Sequence, residues 1–354
     1  MNVLFYRRAN HEEVRGGDLV QLHATAAALQ RQKVRITFSS DPKLDLTAFD
    51  LVHAFNSPRF DETLSFMRNA KAQGKPVAFS TIFWSKEELA VGIASSPKVR
   101  LARTVLGIPL TLWLWRVIKH HQGRRDPNSN YSLERQLFQT ADILLPNSEG
   151  EMREIASTYG TKRPSYQVVR NAIEGTTYPK EPTLERQPYV LSVGRIENRK
   201  NTLKLIEACH RLKLPLTLIG GAADDDPYAQ DCLARTKRYG FTHIAHIEPA
   251  QLIPYYYQAA VHAMVSWYET PGLSSMEAAC GGCTIVSTDR GSTKEYFDDL
   301  VHYCNPFSQT SIEQALAAAM RSRPNLKLRA RILDKYTWDK AADDTLAGYE
   351  KTVS

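Results

Sequence analysis

Cysteine is scarce and irregular in this chain. Five cysteines occur in 354 residues, an odd count without the regular spacing of a disulfide framework. The one C-x-x-C, Cys280-Gly-Gly-Cys283, has no second pair to complete a zinc site, so both are read as structural. No apolar run reaches the roughly 18 residues that a spanning helix needs. The N-terminus carries no secretory leader, because Asn2-Val-Leu-Phe-Tyr6 reads as a first strand, and a reducing cytoplasm is the expected setting. Internal repeats and low-complexity tracts are absent. So are helix-turn-helix, zinc-finger and RNP patterns, and nucleic acid is not expected as a partner.

What is present is a globular composition with an uneven charge. At 354 residues and 43% apolar content, two domains are expected. Residues 1–180 hold 25 Lys and Arg against 17 Asp and Glu, whereas residues 181–354 hold 20 against 21. A basic first half suits an anionic partner such as a membrane surface or lipid phosphate, or is simply a solvated basic surface.

Short apolar runs alternate with helix-compatible stretches. Val3–Tyr6, Val34–Phe38, Asp50–Phe55, Val77–Thr81, Ala141–Pro146 and Tyr166–Arg170 read as strands, with helices over Asp18–Gln32 and Phe60–Gln73. A second series runs through Tyr189–Val193, Leu216–Ile219, His243–Ile247, Val261–Ser266 and Thr284–Ser287. Such alternation predicts parallel sheets covered by helices on both faces. The expected organisation is a first domain over 1–178, a proline-rich linker over 179–188, a second domain over 189–336 and a final helix over 337–354 that returns to the first domain. Ligands of doubly wound sheets bind at the carboxyl ends of strands, so a cleft between the two domains is the expected site.

An insertion at about 84–131 breaks the rhythm. It contains Gly107-Ile-Pro-Leu-Thr-Leu-Trp-Leu-Trp115, then Arg116, Lys119, His120, His121, Arg124 and Arg125. Tryptophans beside an apolar run and clustered cations suit a membrane interface, while Arg103 and Pro109 argue against a spanning helix. An insertion helix packed on its own domain is the alternative.

The chemistry concentrates in Glu269-Thr-Pro-Gly-Leu-Ser-Ser-Met-Glu277. Glu269 follows a strand. Ser274 and Glu277 have the spacing of a capping box, which predicts a helix start near Ser274. Gly272, Leu273 and Ser274 would then offer free backbone N–H groups to a phosphate at a positive helix end. Glu277 can accept hydrogen bonds from ribose hydroxyls and Glu269 from sugar hydroxyls. On spacing alone, a capping glutamate beside a solvated loop acid explains the same residues.

The longer stretch Trp267–Asp289 resembles the signature of retaining glycosyltransferases of the GT-B fold, family 4 type. The E-x7-E core, the Gly-Leu pair, the Glu-Ala-x-Ala-Cys-Gly tail and the following Ile-Val-Ser-Thr-Asp carry the resemblance. Leu191-Ser-Val-Gly-Arg-Ile-Glu-Asn-Arg-Lys-Asn201 resembles the first strand and loop of that family's donor domain, which implies that Arg195 and Lys200 contact a donor diphosphate; Arg199 is the alternative to Lys200. Two cations flanking a diphosphate would stabilise the charge that grows as it leaves. Gly16 and Gly17 of Arg15-Gly-Gly-Asp18 match the family's Gly-rich loop against the donor, although Gly-Gly alone is an ordinary turn. Asp50–Phe55, Leu145–Glu149, Val168–Ile173 and Tyr336–Lys340 match further segments.

The family's histidine after the fourth strand is missing. Ser80, Thr81 or Trp84 are left as candidates there, and His53 reads as a packed core residue. The resemblance implies transfer of a sugar from a UDP- or GDP-sugar, with retention, to an acceptor hydroxyl. The acceptor is expected to be a saccharide or lipid-linked saccharide of surface-polysaccharide or glycan synthesis. It implies no cofactor beyond the nucleotide-sugar co-substrate and no metal, with a setting in the cytoplasm or on the inner face of the plasma membrane through 84–131. Another GT-B sugar-nucleotide enzyme (an epimerase or phosphorylase) or a non-catalytic binding protein are the alternatives.

Overall fold

The computed structural model describes residues 1–7, 17–55, 60–93, 96–125, 129–160, 165–178 and 185–353. Two compact units emerge, one of Met1–Ala172 with Trp338–Ser354 and one of Ile173–Thr337.

The first unit carries five parallel strands, β1 (Asn2–Tyr6), β2 (Arg35–Ser39), β3 (Leu51–Phe55), β4 (Val77–Ser80) and β5 (Ile143–Leu144), in the order β2-β1-β3-β4-β5. Its helices are α1 (Gly17–Arg31), α2 (Phe60–Ala72), α3 (Glu87–Ile93), α4 (Pro97–Arg125), α5 (Asn130–Thr140), α6 (Glu149–Tyr159) and the final α14 (Trp338–Val353). Successive strand residues face opposite layers. Val3 and Phe5 pack with Leu22 and Leu29 of α1 and Tyr349 of α14, while Leu4, Val52 and Phe79 pack with Phe66 of α2, Phe138 of α5 and Ile155 of α6. Burial on both faces is why these strands read as continuous apolar runs.

The second unit is a six-stranded parallel sheet, β6 (Gln187–Val193), β7 (Leu216–Ile219), β8 (Thr242–Ile244), β9 (Ala259–Met264), β10 (Thr284–Thr288) and β11 (His302–Cys304), ordered β11-β10-β9-β6-β7-β8. Its helices are α7 (Thr202–Leu212), α8 (Pro227–Arg238), α9 (Pro249–Gln258), α10 (Leu273–Gly281), α11 (Thr293–Phe297), α12 (Gln309–Arg321) and α13 (Leu326–Lys335). α7, α8 and α12 cover one face, and α9, α10 and α13 the other. Strand order reverses between β6 and β9, so the loops after these two strands diverge and leave a crevice at their carboxyl ends.

Several details differ from the sequence expectations. The first unit ends at Ala172 rather than 178, and Ile173 bonds to Tyr336 within the second unit. Residues 179–184 of the expected linker lie outside the described residues, and Gln187 already begins β6. Tyr166–Arg170 forms only a single bridge, Leu144 to Tyr166. Gln167 N–H donates to the Leu144 carbonyl and Val169 N–H to that of Pro146, but Pro146 has no N–H to return, so the pairing stays one-sided there. β11 was not anticipated, since three residues are too few to show a period.

The insertion forms α3 and α4. By length and composition Pro97–Ile118 is long and apolar enough to cross a bilayer, which corrects the expectation that no such stretch exists. Lys98, Arg100 and Arg103 had interrupted the apolar run in the sequence. The helix is nevertheless broken at Gly107, whose φ of 74° and ψ of 168° are not helical. That conformation is open essentially to glycine alone.

Candidate functional site

Three loops meet at the carboxyl ends of the second sheet. The first follows β6, where Gly194 enters at φ 151° and Asn198–Lys200 form a 3-10 turn. Gly220, after β7, lies so close that a Cβ there would stand 2.2 Å from the Gly194 carbonyl oxygen. The turn is latched by Asn201, whose side-chain amide donates to the carbonyls of Val265 (3.1 Å) and Pro306 (3.2 Å). Trp267 N–H donates to the Arg199 carbonyl at 3.0 Å, tying this loop to the one after β9.

The second loop carries Glu269, which is 4% exposed. Its Oε1 accepts from Lys200 Nζ at 2.7 Å and from Ser266 Oγ at 2.6 Å, and Arg199 stands 3.7 Å away. Burial alone would raise this carboxyl, but Lys200, Arg199 and the two hydrogen bonds hold it below the usual glutamate value. Glu269 is therefore a pinned carboxylate. Its Oε2 lies toward Gly272, 3.7 Å from where a Cβ at that position would stand.

The third loop follows β10 and fixes the Glu269 backbone. Gly291 forms a bridge with Glu269, and Ser292 N–H donates to the Glu269 carbonyl at 2.8 Å. Gly291 has φ 87°, and a Cβ on it would stand 2.1 Å from that same carbonyl oxygen. The Thr270–Pro271 peptide is cis.

Helix α10 starts at Leu273 with Gly272 as its cap at φ 93° and no side-chain capping bond. The expected capping box on Ser274 does not form. Glu277 instead accepts a 2.8 Å hydrogen bond from Tyr256 of α9 through Oε2. Burial raises the Glu277 carboxyl above its usual value, against the Tyr256 bond. The first amides of the helix, at Leu273 and Ser274, have no acceptor within it and define a positive end beside Glu269.

The candidate residues thus fall into groups. Glu269, Lys200, Gly272, Leu273 and Ser274 come together at the switch point, with Glu277 one turn into α10. Arg195 lies on the β6 loop with its side chain 58% exposed and pairs loosely with Glu197 at 3.5 Å. Gly16 lies outside the described residues, and Gly17 is the first residue of α1. Arg199 is packed between Glu197 (3.0 Å) and Glu269 and lies over the Tyr268 ring.

In the first unit His53 is fully buried. Its Nδ1 meets Tyr349 Oη at 2.7 Å and its Nε2 meets Ser80 Oγ at 2.8 Å. Burial lowers its pKa to about 3, so it stays neutral. Ser80 is occupied by that pair, and the Thr81 hydroxyl donates to buried Glu151, which also accepts from Phe83 N–H at 2.6 Å. Only Trp84 of the three histidine substitutes is not fully buried. Sequence reasoning missed Ser266, Tyr256, Gly291, Glu197 and Glu151. Gly291 alone had a local signal, in the Asp289-Arg-Gly-Ser292 turn.

All five cysteines are free and buried, and burial pushes both the Cys280 and Cys283 thiols up to about 12. Among the described residues no group of three His, Cys, Asp or Glu side chains could hold a metal ion.

A carboxylate and cations thus meet at a Rossmann-type switch point beside a helix N-terminus, an arrangement whose chemistry suits an anionic ligand with hydroxyls. Residues 176–335 match the model of the glycosyl transferases group 1 family, which covers nearly all of the second unit. The chain is 28% identical over 254 residues to the alpha-maltose-1-phosphate synthase of Mycolicibacterium smegmatis, covering 62% of this chain and 65% of that protein. It is 27% identical over 169 residues to the N-acetylgalactosamine-N,N'-diacetylbacillosaminyl-diphospho-undecaprenol 4-alpha-N-acetylgalactosaminyltransferase of Campylobacter jejuni, with 46% of each chain covered. The alignments thus span about half to two thirds of these relatives' length. The structure resembles sucrose-phosphate synthase from Thermosynechococcus elongatus with a TM-score of 0.75 at 14% identity, over 99% of this chain and 98% of that one. The shared fold is GT-B, with two doubly wound α/β domains.

Proposed function

We propose that the chain is a retaining glycosyltransferase that moves a sugar from a UDP- or GDP-sugar to the hydroxyl of a saccharide or lipid-linked saccharide. The observation that carries this reading is Glu269. One oxygen is pinned by Lys200 and Ser266, and the other lies toward the glycine cap of α10. A carboxylate held in that way accepts hydrogen bonds from sugar hydroxyls without having to reorganise. The diphosphate lies against the Leu273 and Ser274 amides, with Arg195 closing from the β6 loop and Lys200 contributing positive charge from behind Glu269. Glu277, with Oε2 taken by Tyr256, offers Oε1 to the ribose.

In the reaction the bond from the anomeric carbon to the diphosphate oxygen breaks and the acceptor oxygen bonds to the same face. The acceptor proton passes to the leaving phosphate, so no protein nucleophile is assigned. The cations and helix end take the role that a divalent metal could play, and the reaction proceeds without one. The family match over 176–335 supports the transfer chemistry, and the lipid-linked name of the Campylobacter jejuni relative supports the acceptor class. We assign the chain to the cytoplasm, at the inner face of the membrane where a lipid-linked acceptor is presented.

The test is transfer from UDP- and GDP-sugars to candidate acceptors, with and without a chelator. Glu269→Gln should lower transfer by about 10²-fold or more, and Arg195→Ala should weaken nucleoside diphosphate binding. Transfer by Glu269→Gln at the wild-type rate refutes the role of Glu269, and loss of transfer in chelator refutes metal independence.

A further inference from the structure

Helix α4 is fixed on one side and bare on the other. Arg103 donates to the carbonyls of Val91 and Gly92, each at 3.2 Å. Arg116 reaches Glu87 at 2.5 Å and Glu154 at 2.7 Å, and Thr111 and Leu112 are buried. The outward side is apolar along both halves of the helix. Leu101 is 65% exposed, Val105 70%, Leu110 44%, Trp113 57%, Val117 47% and Ile118 54%. Leu101 and Val105 are four residues apart on the first half, and Leu110, Trp113 and Val117 three and four apart on the second, which makes a stripe on each half with Ile118 at its end. A bare apolar stripe of this extent marks an interaction surface.

Charge decides the occupant. Residues 97–125 contain seven Lys and Arg and no Asp or Glu, a surplus as large as the +7 of the whole chain. Lys98 and Arg100 are exposed beside Leu101, and in the sequence Lys119, Arg124 and Arg125 follow Ile118. Arg103 and Arg116 are turned inward, but a second copy docked on this face would still bring together two helices that carry Lys and Arg and no acid of their own. An anionic bilayer instead accepts apolar side chains below its headgroups and cations at them.

The break at Gly107 decides the depth. Gly107 leaves helical geometry, and Pro109 has no N–H to give to the carbonyl of Val105. Such backbone is costly in hydrocarbon and tolerable at the interface. The Arg103 and Arg116 bonds also hold both halves against α3 and α6, so α4 does not stand away from its unit.

We infer that the outward face of α4, from Leu101 to Ile118, lies in the headgroup region of an anionic membrane without crossing it. This deepens the membrane part of the proposed function and is independent of the transfer chemistry.

The test is flotation of the full chain with vesicles of phosphatidylcholine alone or mixed with phosphatidylglycerol. The protein should float with the anionic vesicles and far less with the neutral ones. Leu110→Ser with Trp113→Ser should reduce anionic binding at least tenfold. Lys98→Gln with Arg100→Gln should reduce it about 25-fold, at about fivefold per cation. Both variants are at exposed positions and should bind nucleoside diphosphate as the wild type does, a readout that follows the donor site alone. The inference is overturned if the wild type ignores anionic vesicles or if the apolar double variant binds them equally well. It is also overturned if the wild type forms dimers that the same variant abolishes, since the face then serves a second copy.

Discussion

Gly291→Ala separates geometry at the site from stability of the fold. The added Cβ would stand 2.1 Å from the Glu269 carbonyl oxygen and 2.8 Å from its nitrogen. An ordinary contact requires the two loops to part by roughly 1 Å, and a displacement of that size typically costs about 10²-fold in rate. Two stability costs accompany it. Alanine at φ 87° costs about 1–2 kcal/mol, and parting the loops stretches the 2.8 Å bond from Ser292 to Glu269, which contributes about 1 kcal/mol. Gly240 provides the control, with φ 70° and nothing within 4 Å of an added Cβ. Gly240→Ala should lose about 1–2 kcal/mol by denaturant unfolding and keep its transfer rate. Gly291→Ala should lose somewhat more stability and about 10²-fold in transfer. Wild-type transfer by Gly291→Ala, or an equal loss in Gly240→Ala, would refute the claim that the β10 loop positions Glu269.

Further outcomes follow from the same site. Lys200→Met leaves Glu269 buried without its closest cation, and should destabilise the second unit by about 3–5 kcal/mol in chemical unfolding; a variant as stable as the wild type would show that the pair is dispensable. Tyr256→Phe frees Glu277 and should raise the donor KM about fivefold with kcat nearly unchanged, whereas a change confined to kcat contradicts a role in ribose binding. The two glutamates also titrate in different ranges. Glu277 has a raised pKa, so its ionised form disfavours folding, and falling pH through that pKa, above 4.5, adds stability while removing the carboxylate that ribose needs. Glu269 has a lowered pKa, so its contribution to stability is complete above 4.5 and is lost as pH falls further. Nucleotide affinity should therefore fall before thermal stability does in an acid titration, and simultaneous loss contradicts the assignment.

Most of the architecture was legible because parallel strands buried on both faces are apolar throughout. Val3–Tyr6 and Leu216–Ile219 stand out in the sequence for that reason. The pieces that were not legible depend on partners remote in sequence. Tyr256 reaches Glu277 across 21 residues, and no local pattern distinguishes that bond from the capping box the same glutamate could have made. Gly291 matters because of the Glu269 backbone beside it, a proximity created by β9 and β10 pairing in register. Lys200 was expected as a phosphate contact, yet its nearest charge is Glu269 at 2.7 Å, a pairing between two loops remote in sequence that the sequence does not show. The break in α4 follows from Gly107 and Pro109 together, but which face it leaves bare depends on Arg103 and Arg116 finding acceptors outside the helix.

The central claim is that the switch point of the second unit binds a nucleotide diphosphate sugar. Thermal unfolding of the wild type and of Glu277→Ala against UDP-, GDP- and ADP-sugars tests it most directly. A UDP- or GDP-sugar should raise the wild-type melting temperature by mass action, and the rise should shrink in Glu277→Ala. No rise with any of the three at saturating concentration, or an equal rise in the variant, contradicts the account.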